Sequence, residues 1–347
     1  MIKEGIININ KPAGYTSHDC VNVIRSLTGI KRIGHTGTLD PMASGVLPVC
    51  IGSAARITEY LDLDFKKYRC ELLLGLETDT LDIWGQVLFD KTELAKSLIS
   101  SGKISEETVR SALTQFVGNI MQIPPKYSAL KVNGKKLYEY ARAGQEIEIK
   151  SRRVYIKDIQ LLSLNLSECK FFFEVTCSKG TYIRSLCRDI GEIFGCGAAM
   201  SALERTASGV FSVEDAVDLE ALKKLKQGEN KRDPETGKII EYARAIPDEM
   251  NAFVVDVDVP LTHFGKAVLF DNRVKWFCDG GPVHEQQVKI LKNPEYKEKN
   301  ALIEIREEFK NAYNIYREKN GQELFLGVAF HNEETMEFKA DKVFGRG

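Results

Sequence analysis

The sequence predicts an α+β protein: a mixed, largely antiparallel sheet carrying helices, followed by a smaller β-rich unit. Three observations lead there. Short apolar or alternating runs of strand length recur between Gly5 and Cys177, interleaved with segments of helical period. The stretch KQGENKRDPETGK, within residues 225–251, is polar, charged and turn-rich, as a linker or exposed insertion would be. From Ala252 onward the apolar runs are short and strand-like: Ala252 to Val257, Ala267 to Phe270, Val288 to Leu291, Ala301 to Ile305 and Leu324 to Phe330, with a tight turn expected at Gly280-Gly281.

The first strand is expected at Gly5 to Ile9. Ser17 then offers an N-cap to a helix whose inner face is Val21, Ile24 and Leu27 and whose stop is Gly29. Val46 to Gly52 reads as a buried strand. Lys67 to Leu74 alternates, placing Tyr68, Cys70, Leu72 and Leu74 on one face. An acidic turn, GLETDTLDIWG, precedes helices at Glu93 to Ser100 and Glu106 to Phe116, the second capped by Ser105. Strands follow at Val154 to Leu166 and Lys170 to Cys177. The next helix, from about Tyr182 to Phe194, should face inward with Ile183, Leu186, Ile190 and Ile193. Arg184 falls on its first turn, where the helix dipole disfavours an exposed cation, so an acidic partner is expected.

With 347 residues and 43% apolar content, the chain can bury a sizeable core in two or three domains. The net charge of -1 gives no global basicity, so a nucleic-acid partner needs a local basic patch. One exists. From Lys126 to Lys157 nine lysines and arginines stand against three glutamates, six net positive, with Tyr127, Tyr138 and Tyr140 interleaved. Basic groups track phosphates and aromatic faces stack on bases. Eight cysteines are scattered without a CxxC pair, as in a reduced cytosolic protein without a zinc or disulfide framework. No apolar run reaches membrane-spanning length and the N-terminus lacks a secretory pattern, so a cytoplasmic protein is expected.

Two apparent motifs are rejected. Ser17, His18 and Asp19 are triad residue types, but contiguous residues cannot converge on one another as a triad does. GIKRIGHT has the glycines and threonine of a phosphate loop, but His35 stands where the essential lysine belongs. The densest candidate is Gly34 to Pro48, GHTGTLDPMASGVLP. Its glycines allow sharp turns and close approach, and Pro41 biases Asp40 toward an extended conformation. A rigid loop presenting one carboxylate can hold a nucleophile or a base, although the same residues also suit a simple turn.

GHTGTLDPMASGVLPVCIG resembles the catalytic motif of the TruB family, the bacterial tRNA pseudouridine-55 synthases. NKPAGYTSHD, KKYRCELLLGLETDTLD, IPPKYSALKVNGKKLYEYARAG and CSKGTYIRSLCRDIG resemble that family's N-terminal motif, tyrosine motif, RNA-gripping insertion and arginine motif, in family order. LERTASG resembles a further short element, and beyond Ala216 the resemblance thins. The resemblance implies isomerisation of the uridine at position 55 in the T-arm of tRNA, after the base is flipped out. It implies catalytic roles for Asp40, Tyr68 and Arg184, with Arg184 paired to Asp40, and with Tyr68 stacking on the target base and a candidate proton acceptor. His35 would contact the displaced nucleotide, Leu203 would pack against the site, and Lys11, Pro12 and Asp82 would support it, although Asp82 suits a turn cap at least as well. Lys131, Lys135 and Lys136 would grip the RNA. No cofactor or metal is implied. The partner is the tRNA T-arm stem-loop, with no membrane and no obligate protein partner, and a monomer is expected.

The implied layout is a catalytic domain over 1–224 with an RNA-clamping insertion at about 123–151, a linker or insertion at 225–251, and a PUA-like RNA-binding domain over 252–347. Whether Asp40 attacks C1′, attacks C6 or removes a sugar proton stays open. So do two alternatives: a non-catalytic RNA-binding or RNA-folding protein of the same fold, and a synthase directed by a guide RNA.

Overall fold

The computed structural model describes residues 1–61, 64–295 and 307–345. The chain enters as β1 (Gly5–Lys11), whose Ile6, Ile7 and Ile9 are wholly buried. Helix α1 (Ser17–Thr28) follows, and its N-cap is Thr16 rather than the predicted Ser17. Thr16 accepts from the Asp19 N–H while the Asp19 carboxylate accepts from the Thr16 N–H, so the acid three residues on selects between two adjacent candidate caps. Ser17 is displaced into the first turn, where it is buried and exchanges hydrogen bonds with the backbone of Leu39. Gly29 closes the helix in the left-handed conformation, as predicted.

Strands β2 (Ile33–His35) and β3 (Ser44–Ile51) pair antiparallel, which makes residues 36–43 the loop between them. After the short helix α2 (Thr58–Leu61), β4 (Lys66–Leu74) buries Cys70, Leu72 and Leu74 with Tyr68 on the same side. Where only an acidic turn was predicted, β5 (Leu76–Thr78) and β6 (Val87–Asp90) form a two-stranded ribbon. Helices α3 (Thr92–Ser100) and α4 (Glu106–Thr114) lead to the edge strand β7 (Gly118–Gln122); Ser105 caps α4 as predicted. The basic stretch contains a minimal hairpin, β8 (Lys131–Val132) and β9 (Lys135–Lys136), and helix α5 (Leu137–Arg142).

Then come β10 (Arg152–Asn165), β11 (Lys170–Cys177), α6 (Ile183–Phe194), β12 (Ala198–Ser208), β13 (Phe211–Ser212), β14 (Val217–Asp218) and α7 (Leu219–Lys224). The sheet they complete runs β14-β1-β3-β12-β4-β11-β10-β7, with β2 added on β3 and β13 on β12. Only the β1–β14 and β3–β12 pairs are parallel, so the sheet is mixed and largely antiparallel. One core lies between this sheet and helices α3, α4 and α6, built on Leu72, Phe171, Phe173, Leu186 and Ile190. A second holds α1 against β1 and β3. In α6 the inward stripe continues through Cys187 to Phe194, so Ile193 falls beside it and is 44% exposed, contrary to the expectation that it faces inward.

Residues 225–251 contain a short ribbon, β15 (Lys231–Arg232) with β16 (Ile239–Glu241), and helix α8 (Pro247–Asn251). Ala245 and Met250 are buried in the core under α1. No strand forms over Ala252 to Val257. Val255 makes a single antiparallel bridge to Ile6 before the chain turns at residues 256–261. The C-terminal unit holds β17 (Gly265–Leu269), α9 (Asp271–Cys278), β18 (Val283–His284), β19 (Val288–Lys292), β20 (Ala312–Lys319), β21 (Gln322–Asn332) and β22 (Glu337–Val343). Its sheet order is β18-β22-β21-β20-β17-β19. The predicted run Ala301 to Ile305 lies outside the described residues. A third apolar cluster joins the two sheets: Val46, Ala54, Ile57 and Tyr60 pack with Leu261, Phe264, Phe309 and Val328.

Candidate active site

The loop between β2 and β3 is tied down on both flanks. Ser17 holds Leu39, and the Lys11 ammonium, wholly buried, donates to the carbonyls of Pro12 (3.0 Å), Tyr15 (2.6 Å) and Pro41 (3.3 Å). Lys11 is thus neither solvated nor free to meet a phosphate; it staples the loop after β1 to the residue after Asp40. Burial pushes its ammonium down to about 8. Pro12 contributes one of those carbonyls. Leu39, Met42 and Ala43 are buried around Asp40, whose side chain stays 36% exposed.

Arg184 meets that carboxylate from the first turn of α6. Its Nε lies 2.8 Å from Asp40 Oδ2 and its Nη2 lies 3.1 Å from Oδ1, a two-pronged pair. The residue is 5% exposed, so the sequence-based worry about an exposed cation at this helix end does not arise. The guanidinium also donates to the carbonyls of Thr80 (2.9 Å) and Tyr127 (3.0 Å), and Asp82 stands 3.6 Å away. Burial pushes the Asp82 carboxyl above its ordinary value, while hydrogen bonds from Thr80 and the Trp84 N–H and the charge of Arg184 act the other way.

These groups border an open cleft of about 2070 Å³. His35, Asp40, Tyr68, Arg184 and Leu203 all line it, so five predicted site residues separated by up to 168 positions share one cavity. Of the three predicted clamp lysines only Lys136 reaches the wall, together with Tyr127, Tyr138 and Arg142. Lys135 lies over the Tyr140 ring (4.5 Å to its centre) and donates to Gln145, and Lys131 is exposed on the hairpin. Arg152 and Arg153 continue the positive wall. Burial raises the Tyr68 phenol.

Sequence reasoning missed Arg205. It lines the cleft two residues beyond Leu203 and is 1% exposed. The signal was there: in strand period, Leu203 and Arg205 must share a face, which puts a charge on an inward side. The carbonyls of Thr80 and Tyr127, which complete the Arg184 shell, carry no residue-type signal at all.

A loop-borne carboxylate gripped by a buried arginine beside a tyrosine, in a cleft with a basic wall, defines a pseudouridylate synthase, and comparison with known proteins agrees. The model described as "TruB family pseudouridylate synthase (N terminal domain)" matches residues 25–183, and that described as "tRNA pseudouridylate synthase B C-terminal domain" matches residues 184–261. A tRNA pseudouridine synthase B of Clostridioides difficile (strain 630) is 40% identical over 98% of this chain and 99% of its own length, and one of Alkaliphilus oremlandii (strain OhILAs) is 44% identical over 93% and 97%. The chain belongs to the TruB family. Among solved structures, a chain of an H/ACA RNP bound to a substrate RNA containing 2'-deoxyuridine covers 99% of this chain and 86% of its own at a TM-score of 0.68; a chain of a Cbf5-Nop10-Gar1 complex covers 99% and 85% at the same score. At 22% and 24% identity these two show the shared fold.

Proposed function

We propose that the protein is a tRNA pseudouridine synthase that isomerises the uridine at position 55 of the T-arm. The observation that carries the reading is the two-pronged Arg184–Asp40 pair at the floor of the cleft. A nucleophile or base must be ionised at the moment of reaction, and a positive partner that never deprotonates keeps it so. Asp40 supplies the carboxylate, and Tyr68 and Leu203 flank the base. His35 meets the nucleotide displaced from the stack. The N1–C1′ bond breaks, the uracil turns, and a C5–C1′ bond forms, so substrate and product are isomers. Extruding the uridine costs a few kcal/mol, least for a loop nucleotide, and contacts to phosphate and base faces offset it. Lys136, Tyr138, Arg142, Arg152 and Arg153 are placed to make those contacts.

Residues 1–224 form the catalytic unit in this reading, with the clamp at about 123–151; 225–251 connect it to a PUA-like RNA-binding unit over 252–347. The enzyme acts as a cytoplasmic monomer on tRNA alone. The test is incubation of the pure protein with unmodified tRNA transcript, without guide RNA or other protein, followed by pseudouridine mapping. A single modified site in the T-arm supports the reading. No product from wild-type protein refutes it, and product only on addition of a guide RNA favours the guided alternative.

A further inference from the structure

We propose that Arg205 is a positioning residue for this reaction: it fixes Tyr68 against the loop that carries Asp40 and aims a buried positive charge at the phenol oxygen. The inference rests on the isomerisation proposed above. Arg205 in β12 is the register partner of Tyr68 in β4, so their side chains rise from the same face directly opposite one another. The two side chains line the same cleft, and the guanidinium charge favours the ionised phenol. On its other side Arg205 donates from Nε to the Val46 carbonyl (2.6 Å) and from Nη2 to the Gly37 carbonyl (3.1 Å). Those carbonyls stand on either side of Asp40 in the chain, so one side chain spans the tyrosine and both flanks of the loop.

The space for this arrangement is built in. A Cβ on Gly45 would lie 2.2 Å from the Arg205 carbonyl oxygen, and one on Gly37 would lie 3.3 Å from Arg205 Nη1; both glycines also hold positive φ, at 101° and 74°. Arg184 has Asp40 and Asp82 beside it. Arg205, buried more deeply still, has no carboxylate within ion-pair distance among the described residues. A buried charge without a counter-charge is costly to hold, and two carbonyls offset only part of that cost. The group facing it that can become an anion is the Tyr68 phenol. Around that phenol stand Arg205 from β12, Cys177 from β11 and Asp40 from the loop, with Lys66, His35 and Arg184 on the same cleft. Burial and the Asp40 charge oppose ionisation of the phenol, and Arg205 favours it. The phenol first releases its proton to solvent; when the new C5–C1′ bond has formed, the proton on C5 passes to the phenolate as the ring regains its double bond, and N1 takes a proton from solvent, so the enzyme ends as it began.

The experiment measures single-turnover pseudouridine formation on unmodified tRNA transcript with saturating enzyme across pH 6 to 10, alongside tRNA affinity and thermal melts. Arg205→Lys keeps the charge and loses the two-carbonyl grip. It should react about 10²-fold slower with tRNA affinity unchanged within about threefold. Arg205→Gln should be slower still, with the rising limb of its pH profile moved to higher pH. In a Tyr68→Phe background the same lysine substitution should have little further effect. A second measurement needs no Arg205 variant: 3,5-difluorotyrosine placed at position 68, a more acidic phenol, should move the rising limb to lower pH. The inference is overturned if Arg205→Lys matches wild type, if it slows the Tyr68→Phe enzyme as much as the wild type, or if the fluorinated enzyme keeps the wild-type profile. A wild-type enzyme that makes no pseudouridine refutes the reading beneath it instead.

Discussion

Replacing Asp40 by asparagine removes one charge and almost no volume, and the structure sets the size of each consequence. Arg184 gives Asp40 two hydrogen bonds, at 2.8 and 3.1 Å. A bond to a charged acceptor contributes about 1.5–3 kcal/mol and a neutral one about 0.5–1.5, so two weakened bonds cost about 2 kcal/mol. The loss stops short of the roughly 3–5 kcal/mol of an orphaned buried charge, because Asp82 and the carbonyls of Thr80 and Tyr127 stay beside the guanidinium. The melting temperature should fall by no more than about 8 °C. The chemistry should suffer far more. Removing the group that attacks or takes the proton lowers turnover by about 10⁴-fold or more, equivalent to at least about 5 kcal/mol in the transition state. Binding of tRNA, which rests on phosphate and stacking contacts, should stay within a few-fold. The assay is single-turnover pseudouridine formation with saturating enzyme, with filter binding and a melt on the same preparation. A folded Asp40→Asn protein that forms pseudouridine at near the wild-type rate would show that Asp40 is only a turn residue.

Three further outcomes are expected. The Lys11 ammonium titrates at about 8 in the fold against 10.5 in the unfolded chain, so between those values the unfolded chain holds the extra proton and raising the pH favours the fold. Melts from pH 7.5 to 10.5 should therefore show wild type gaining on Lys11→Met, and a pH-independent difference would contradict the assigned titration. Replacing Lys131, Lys135 and Lys136 together by alanine should weaken tRNA binding and flatten its salt dependence by about one unit of slope per lysine that meets a phosphate; an unchanged slope would make the hairpin an ordinary solvated face. Phe264→Ala, in the cluster between the two sheets, should cost about 3–5 kcal/mol and lower a single melting transition. Two separate transitions would show that the sheets unfold independently.

Much of the first sheet was legible because its strands alternate or run continuously apolar, as β3, β4, β10 and β11 do. Asp40, Tyr68 and Arg184 were legible through their motifs, while the shape of their meeting was not. The Asp40 turn chemistry suits an ordinary loop equally well, and its partner comes from α6, 144 residues on. The contacts of Lys11 were not legible, because only the folded loop puts the Pro41 carbonyl within its reach. Leu203 was found and Arg205 was not, since β12 went unread as a strand. In the C-terminal unit β18, β20, β22 and α9 were missed. There a local signal existed in Asn320-Gly321, both at positive φ, which form the two-residue turn between Lys319 and Gln322 of β20 and β21.

The parallel pairing of β3 with β12, Ser44 opposite Glu204, has a temporal consequence. A ribosome delivers Asp40 early, yet the strand that closes its cleft and brings Leu203 and Arg205 emerges some 160 residues later. Until then the loop has no floor, and the helix bearing Arg184 has no finished sheet to lie on. Long-range pairings of this kind form late in folding because the intervening chain must first be closed into a loop. Nascent or truncated chains that stop before Ser208 carry Asp40 but lack the full strand that pairs with β3 and β4 beside it. The proposed isomerisation therefore requires a chain translated and folded through β12.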